Sequence, residues 1–354
     1  MAKGSTPGSG SDSEDDSSSE ELQWLLGFVE PPAKPAALLR HRFPSKVGGR
    51  PAWLHPTHLP SREQLLCKVT GRPLSFLLQV YAPIDDNPNA FHRAVFVFVS
   101  PQGDQLSKAG AVRVYRCQLP RRNDYYSYKP AQKADVVPHE PQAQGDPPVD
   151  DPWGVVEAEA AVGRGELPAE VSGRAVFPEH ELVVEPETEE KGTDAAGVAR
   201  LLQQYEAMRT SEGELGDADL PAEVLSSVEE NMTEERKHFA HFAAVVAREP
   251  EQVLRYCVEE GAQPLWPNPA PIPMPADIPA CERCGAPRRF EFEVMPQLLN
   301  HLGLNHEDPA ALDWGAIAVF TCSSSCNANV DGSSEAAASS TSAYLEEFVW
   351  VQGP

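Results

Sequence analysis

The chain has 354 residues, with 53 acidic against 29 basic side chains, a formal net charge of −24 and 35 prolines. That length suffices for two or three packed units, while the charge repels a polyanion and argues against nucleic acid as a direct partner. No apolar run approaches the ~20 residues of a membrane span, the start lacks the apolar core of a secretory signal, and seven cysteines, an odd number, point to reduced thiols in an intracellular protein.

Residues 1–23 are expected to be a disordered acidic tail, too poor in apolar side chains to order itself. Ser11, Ser13, Ser17 and Ser18 each stand three positions before an acidic residue, the pattern an acidophilic kinase reads. Residues 24–130 are predicted to form a β-rich module. Within it Leu74–Tyr81, Ala94–Val99 and Ala111–Cys117 are short runs rich in Val, Phe and Tyr, bounded by Pro, Gly, Asn or Asp, the marking of strands joined by turns. This stretch is also the basic part of the chain: residues 34–133 carry a net charge of +11, against −21 for residues 135–235. The expectation is that part of the basic charge, including Arg40, Arg42, Lys46, Arg50, Arg121 and Arg122, faces the acidic middle.

Residues 131–175 read as a Pro-rich acidic linker. Residues 176–263 read as a strand, Phe177–Glu185, followed by helices: Asp194–Arg209 with Thr193 as cap, then about Pro221–Arg248, then a short helix opened by Pro250. In the second helix Met232, Phe239, Phe242, Val245 and Val246 approximate a 3.6-residue stripe, which marks a packing face. His238 and His241 lie there without a carboxylate motif and are read as surface or packing residues. Residues 264–279 form a Pro-rich bridge into the last module, 280–354.

That module carries the chemistry. Cys281-Glu-Arg-Cys284-Gly-Ala-Pro precedes a strand-like run, Arg289–Met295, and Cys322-Ser-Ser-Ser-Cys326 closes a second, Ala316–Cys322, with a helix over PQLLNHLG between them. If the two strands are antiparallel, the start of one meets the end of the other and four thiolates converge, as tetrahedral zinc requires. With all four positions filled by cysteine, one zinc ion there is structural. In Arg289–Met295 the apolar Phe290, Phe292 and Val294 alternate with charged residues, predicting one buried and one wet face. A redox CxxC belongs at a strand-to-helix junction, which this is not; disulfides conflict with an intracellular setting.

The two β-rich segments resemble one another. Cys67-Lys-Val-Thr70-Gly parallels Cys281-Glu-Arg-Cys284-Gly, and Ala94–Val99 with Ser100 parallels Ala316–Thr321 with Cys322. In the first copy only Cys67 survives; Thr70 and Ser100 replace two ligands and Asp104 stands near the fourth position, so that module is expected to be metal-free. The fold class that follows is α+β: a duplicated β-rich module in two halves, a helical acidic middle, and a C-terminal four-cysteine zinc knuckle. No catalytic motif emerges, and a pairing of His92 with Cys117 in space would be chance.

Longer stretches carry a family likeness. Arg40–Trp53 (RHRFPSKVGGRPAW), Gly71–Pro83, Asn89–Arg93, Cys117–Tyr128, Glu249–Tyr256, Phe290–Leu299, Asp313–Cys322 and Glu346–Val351 resemble, in order, the programmed cell death protein two family. The resemblance implies a non-enzymatic, chaperone-like partner of a basic small-subunit ribosomal protein (number two in eukaryotic naming). It also implies a role in small-subunit assembly, in the cytoplasm with shuttling to the nucleus; we expect a monomer. Between Tyr128 and Phe177, where the family's best-known members carry a Cys/His-rich MYND finger, this chain has no Cys and only His139. Phe43, Lys46 and Trp53, in a loop stiffened by Gly48, Gly49 and Pro51, are the candidate partner-binding residues; grooves or sheet edges of the two modules would take an extended peptide. The rival readings are a nuclear scaffold or transcriptional adaptor without ribosomal cargo, and a thiol oxidoreductase using Cys281 and Cys284.

Overall fold

Ten antiparallel strands close into one barrel in a computed structural model that describes residues 22–127, 176–187, 233–305, 307–328 and 342–354. They are β1 (Leu25–Glu30), β2 (Lys46–Val47), β3 (Ser75–Tyr81), β4 (His92–Val99), β5 (Val112–Leu119), β6 (His180–Pro186), β7 (Leu254–Tyr256), β8 (Arg288–Val294), β9 (Ala316–Cys322) and β10 (Leu345–Gln352). Around the barrel the order is β1-β6-β2-β3-β4-β5-β10-β9-β8-β7, with β7 returning to β1. Among the described residues one α-helix, α1 (Glu234–Val246), packs outside; the Thr233 hydroxyl caps it by accepting from the Arg236 N–H. The helix expected over 194–209, the linker, the serines of the tail and residues 221–232 lie outside the described residues.

The strands expected from sequence are present, and the packing explains their composition. Side chains alternating along β3, β4, β5, β8 and β9 fill the lumen with Leu78, Val80, Val95, Val97, Val114, Phe292, Val294, Ile317 and Val319. The opposite faces are also covered. Trp53, Phe76, Phe96, Phe98, Tyr115 and Tyr344 form a second cluster outside the N-terminal strands, and Trp266, Phe290, Ala318 and Phe320 a third outside the C-terminal ones. Strands buried on both faces read as near-continuous apolar runs rather than alternating ones.

Two expectations are corrected and one is refined. The short helix after Pro250 is instead β7, whose Leu254 is fully buried between β1 and β8; pairing on both sides overrides the helical reading of so short a segment. The helix expected over PQLLNHLG is present as a 3-10 helix, Pro296–His301. The charged face of Arg289–Met295 is not wet: Glu291 and Glu293 are 1% and 0% exposed. A bulge in β8 between Phe290 and Phe292 places Glu291 in the barrel. There it is held by Arg93 of β4, Nη1 to Oε1 at 2.5 Å and Nη2 to Oε2 at 2.7 Å, by the Thr321 hydroxyl, and by Tyr256 Oη at 3.4 Å.

The N-terminal strands carry a bulge at the matching register, between Phe76 and Leu78 of β3, against Phe98 and Val97 of β4. In β8 and β9 the same places are held by Phe290, Phe292, Phe320 and Val319. The barrel closes, and each of its strands pairs on both sides over at least part of its length among the described residues.

Candidate metal centre

Cys281 and Cys284 lie in the turn before β8, and Cys322 and Cys326 end β9 and enter the turn after it. The register Arg288↔Cys322 brings the two turns together, as the antiparallel argument requires. The first turn closes by the Gly285 N–H donating to Cys281 O at 2.8 Å and the Cys281 N–H donating to Ala286 O at 2.8 Å. Gly285 sits at φ 74°, the left-handed region that glycine enters without strain.

All four sulfurs lie within 4.8 Å of one another. The Cys281–Cys326, Cys284–Cys322 and Cys322–Cys326 separations are 3.7, 3.5 and 3.9 Å. A tetrahedron of sulfurs about 2.3 Å from a central ion has edges of about 3.8 Å, whereas a disulfide needs about 2.05 Å. The donor set therefore fits a metal ion, and the four cysteines can hold one. A backbone hydrogen bond from Ala286 and one from the Cys322 thiol bring the exposed Cys284 thiol down to about 7, while burial pushes Cys322 and Cys326 up.

Side chains far away in sequence fasten the arms that carry the ligands. Glu347 of β10 accepts the Cys322 N–H at 3.1 Å and Arg288 Nε at 3.0 Å on Oε2, and Arg116 Nε at 2.7 Å on Oε1. Arg288 Nη1 donates to Pro279 O and Ala280 O, just ahead of Cys281. Arg116 Nη1 donates to Cys326 O at 2.9 Å, with Nη2 3.8 Å from Cys326 Sγ. Gln118 Nε2 donates to Ser325 O at 2.7 Å and Ser325 Oγ to Gln118 Oε1 at 2.9 Å. Nothing in the cysteine spacing points to Arg116, Gln118 or Glu347; only the cationic Arg288 beside the turn is a local signal.

The N-terminal counterpart has the same turn and different chemistry. The Cys67 N–H donates to Arg72 O at 2.8 Å and the Gly71 N–H to Cys67 O at 2.9 Å, with Gly71 at φ 68°. Burial pushes the Cys67 thiol up, but hydrogen bonds from Thr70, Val69 and Ser100 outweigh it and hold the thiol below its ordinary value. Thr70 and Ser100 thus stand where the sequence parallel puts them, serving Cys67 as hydroxyl partners. His92 and Cys117 do not meet: His92 Nδ1 pairs with Tyr81 Oη at 2.9 Å, and the residue opposite Cys117 is Ala94.

Two family models match the chain: "Programmed cell death protein 2, N-terminal domain" over residues 23–133, and "Programmed cell death protein 2, C-terminal putative domain" over residues 236–353. Programmed cell death protein 2 of Rattus norvegicus is 38% identical over 365 residues, covering 92% of this chain and 95% of the relative. The Bos taurus protein is 35% identical over 368 residues with the same shares. The chain belongs to the programmed cell death protein 2 family. A more distant relative, programmed cell death protein 2-like of Homo sapiens, is 26% identical over 324 residues, covering 80% of this chain and 85% of that one. The two family models leave out residues 134–235, and the stretch between Tyr128 and Phe177 lies mostly outside the described residues.

The candidate partner-binding residues of this family member divide. Trp53 is 2% exposed, its ring centroid 5.0 to 5.8 Å from those of Tyr344, Phe96 and Phe98. Lys46 is equally buried, donating to Arg50 O at 2.8 Å and paired with Glu179. Both are packing residues in this structure, because Gly48 and Gly49 bring their loop hard against Phe177 and Pro178, where a Cβ on Gly48 would meet Pro178 O. Phe43 is different. Held at φ 51° and stacked on His92 at 4.2 Å, it lines a cavity of about 410 Å³ with Val80, Tyr81, Leu182, Val184 and Tyr256. Among the described residues, basic side chains of the N-terminal segment pair with the C-terminal half as well as, through Lys46 and Glu179, with the acidic middle. Arg93 pairs with Glu291, Arg113 with Glu346 and Arg116 with Glu347.

Proposed function

We propose that this chain is a non-enzymatic, chaperone-like protein that holds a basic small-subunit ribosomal protein, number two in eukaryotic naming, before its assembly. The observation that carries the reading is the use of charge. Arg93, Arg113 and Arg116 are neutralised by glutamates of the C-terminal half, within a chain whose net charge is −24. The excess of acid in residues 135–235 then favours a strongly cationic partner, raising its capture rate by long-range attraction. Family membership supports the cargo's identity through the likeness read in the sequence. The cavity beside Phe43 is a place for an apolar side chain of an extended cargo segment.

The metal in this reading is one structural zinc, favoured by four sulfur donors at tetrahedral spacing. The matched bulges and turns support reading the two halves as copies of one unit. The protein acts as a monomer in the cytoplasm and the nucleus. An exposed Cys284 with a lowered thiol favours the oxidoreductase alternative; metal-loaded protein that resists alkylation at Cys284 would reject it.

The test is capture of the purified ribosomal protein at graded salt. The expected result is a one-to-one complex, formed rapidly at low salt and more slowly once residues 140–190 have their acids neutralised, with little difference at high salt. No complex at any salt would overturn the reading in favour of a scaffold without ribosomal cargo.

A further inference from the structure

The N-terminal strands meet the C-terminal ones at two short seams, β1–β7 and β5–β10, of which the second concerns the metal centre. β5 and β10 share three register pairs, Leu345↔Arg116, Glu346↔Tyr115 and Glu347↔Val114, whereas β4 and β5 share eight. Side chains reinforce it. Glu346 takes Arg113 through Nε at 2.9 Å and Nη2 at 2.7 Å, together with Lys68 Nζ at 3.1 Å; its neighbour Glu347 takes Arg116. The second of these reinforcements is also the support of the cysteine quartet.

We propose that Arg116 is a positioning residue for the metal and that, through it, metal occupancy and closure of the β5–β10 seam are one event. The inference rests on the metal-binding reading of the quartet. Arg116 is 1% exposed and comes from the half of the chain that supplies no ligand. Its guanidinium holds the Cys326 carbonyl, points Nη2 at the Cys326 sulfur and grips Glu347, which in turn fixes Cys322 and Arg288. Four thiolates around a divalent ion leave an excess of negative charge, which the two guanidiniums offset in a buried setting. With the ion present, Cys326 is fixed and the guanidinium is clamped between it and Glu347. Without the ion, the turn after β9 loses its anchor and Arg116 keeps only Glu347 and Gln118 as partners. The metal therefore staples the two halves instead of stabilising the C-terminal turns alone.

Cobalt(II) titrated into the reduced, metal-free full chain is the probe, because thiolate-to-cobalt absorption reports tetrahedral sulfur ligation directly. Arg116→Met should weaken cobalt binding about 10- to 100-fold, with Arg116→Lys recovering part of the loss and Gln118→Ala losing less than Arg116→Met. Amide exchange should accelerate in β5 as well as in β8 and β9 when the metal is chelated from the wild-type chain. Equal affinity in wild type and Arg116→Met, or β5 protection unchanged by chelation, overturns the inference while leaving the metal site standing. A wild-type chain without the thiolate band overturns the metal reading and this inference with it. Should Arg116→Met not fold, Gln118→Ala and the exchange experiment decide: wild-type affinity in the first together with an unmoved β5 in the second rejects the proposal.

Discussion

The turn at Cys67 and the turn at Cys281 have the same backbone hydrogen bonds, the same left-handed glycine and the same position ahead of a bulged strand, yet they solve different problems. At Cys281 the surrounding side chains are three more thiols. At Cys67 they are the hydroxyls of Thr70 and Ser100, and the local core of Leu65, Leu74, Phe76 and Phe98 supplies the stability. Backbone geometry alone does not make a metal site; the donor atoms do. The lumen repeats the contrast. The bulge in β3 leaves an apolar Leu77 at 0% exposure, while the bulge in β8 leaves Glu291, which requires Arg93 from the opposite half.

The largest expected effect breaks the first contrast. Cys322→Ser should abolish stoichiometric metal binding and remove much of a ligation free energy of about 10–16 kcal/mol. Cys67→Ser should leave metal content unchanged and lower stability by about 1 kcal/mol. Elemental analysis and urea unfolding check both, and loss of metal in Cys67→Ser would mean that the two turns are not chemically distinct.

A smaller effect tests the lumen. Glu291→Gln leaves the Arg93 guanidinium buried without its counter-charge and should cost about 3–5 kcal/mol. The double replacement Arg93→Met with Glu291→Leu makes the C-terminal bulge resemble the N-terminal one and should recover most of that loss in urea unfolding. A double variant no more stable than the single would show that the pair does more than satisfy itself.

The smallest effect concerns pH. Three positions beyond Phe76 and Phe290 stand Gln79 and Glu293, each tying down a covering segment: Gln79 Oε1 accepts the Ala52 N–H at 2.8 Å, and Glu293 Oε2 accepts that of Leu265 at 2.8 Å. Burial raises the Glu293 carboxyl to about 8 despite Arg255 nearby. Between its ordinary value and about 8 the native state therefore holds a proton that the unfolded chain has released. Stability should fall as pH rises through that window, by on the order of 1 kcal/mol or more, and level off above it. Glu293→Gln, which copies Gln79, should flatten the dependence, as urea midpoints at pH 5 and pH 9 would show; an unchanged slope would exclude Glu293 as its source.

The sequence by itself determined much of this protein. The runs Leu74–Tyr81, Ala94–Val99, Ala111–Cys117, Arg289–Met295 and Ala316–Cys322 became β3, β4, β5, β8 and β9, because composition and bounding turn residues are local properties. Cysteine spacing around two antiparallel strands located the quartet, because four like donors with that pattern have few other uses. Only the tertiary structure decided the rest. β2 and β7, of two and three residues, exist through pairing on both sides and carry no periodic signal of their own. The burial of Glu291 depends on Arg93 nearly two hundred residues away, and the loop carrying Trp53 reads as a surface anchor until strand β4 and Tyr344, just ahead of β10, supply the aromatic rings that cover it. Arg116 could not be read as a support of the quartet because a charge in one strand says nothing of the carboxylate, carbonyl and sulfur that closure of the barrel brings to it.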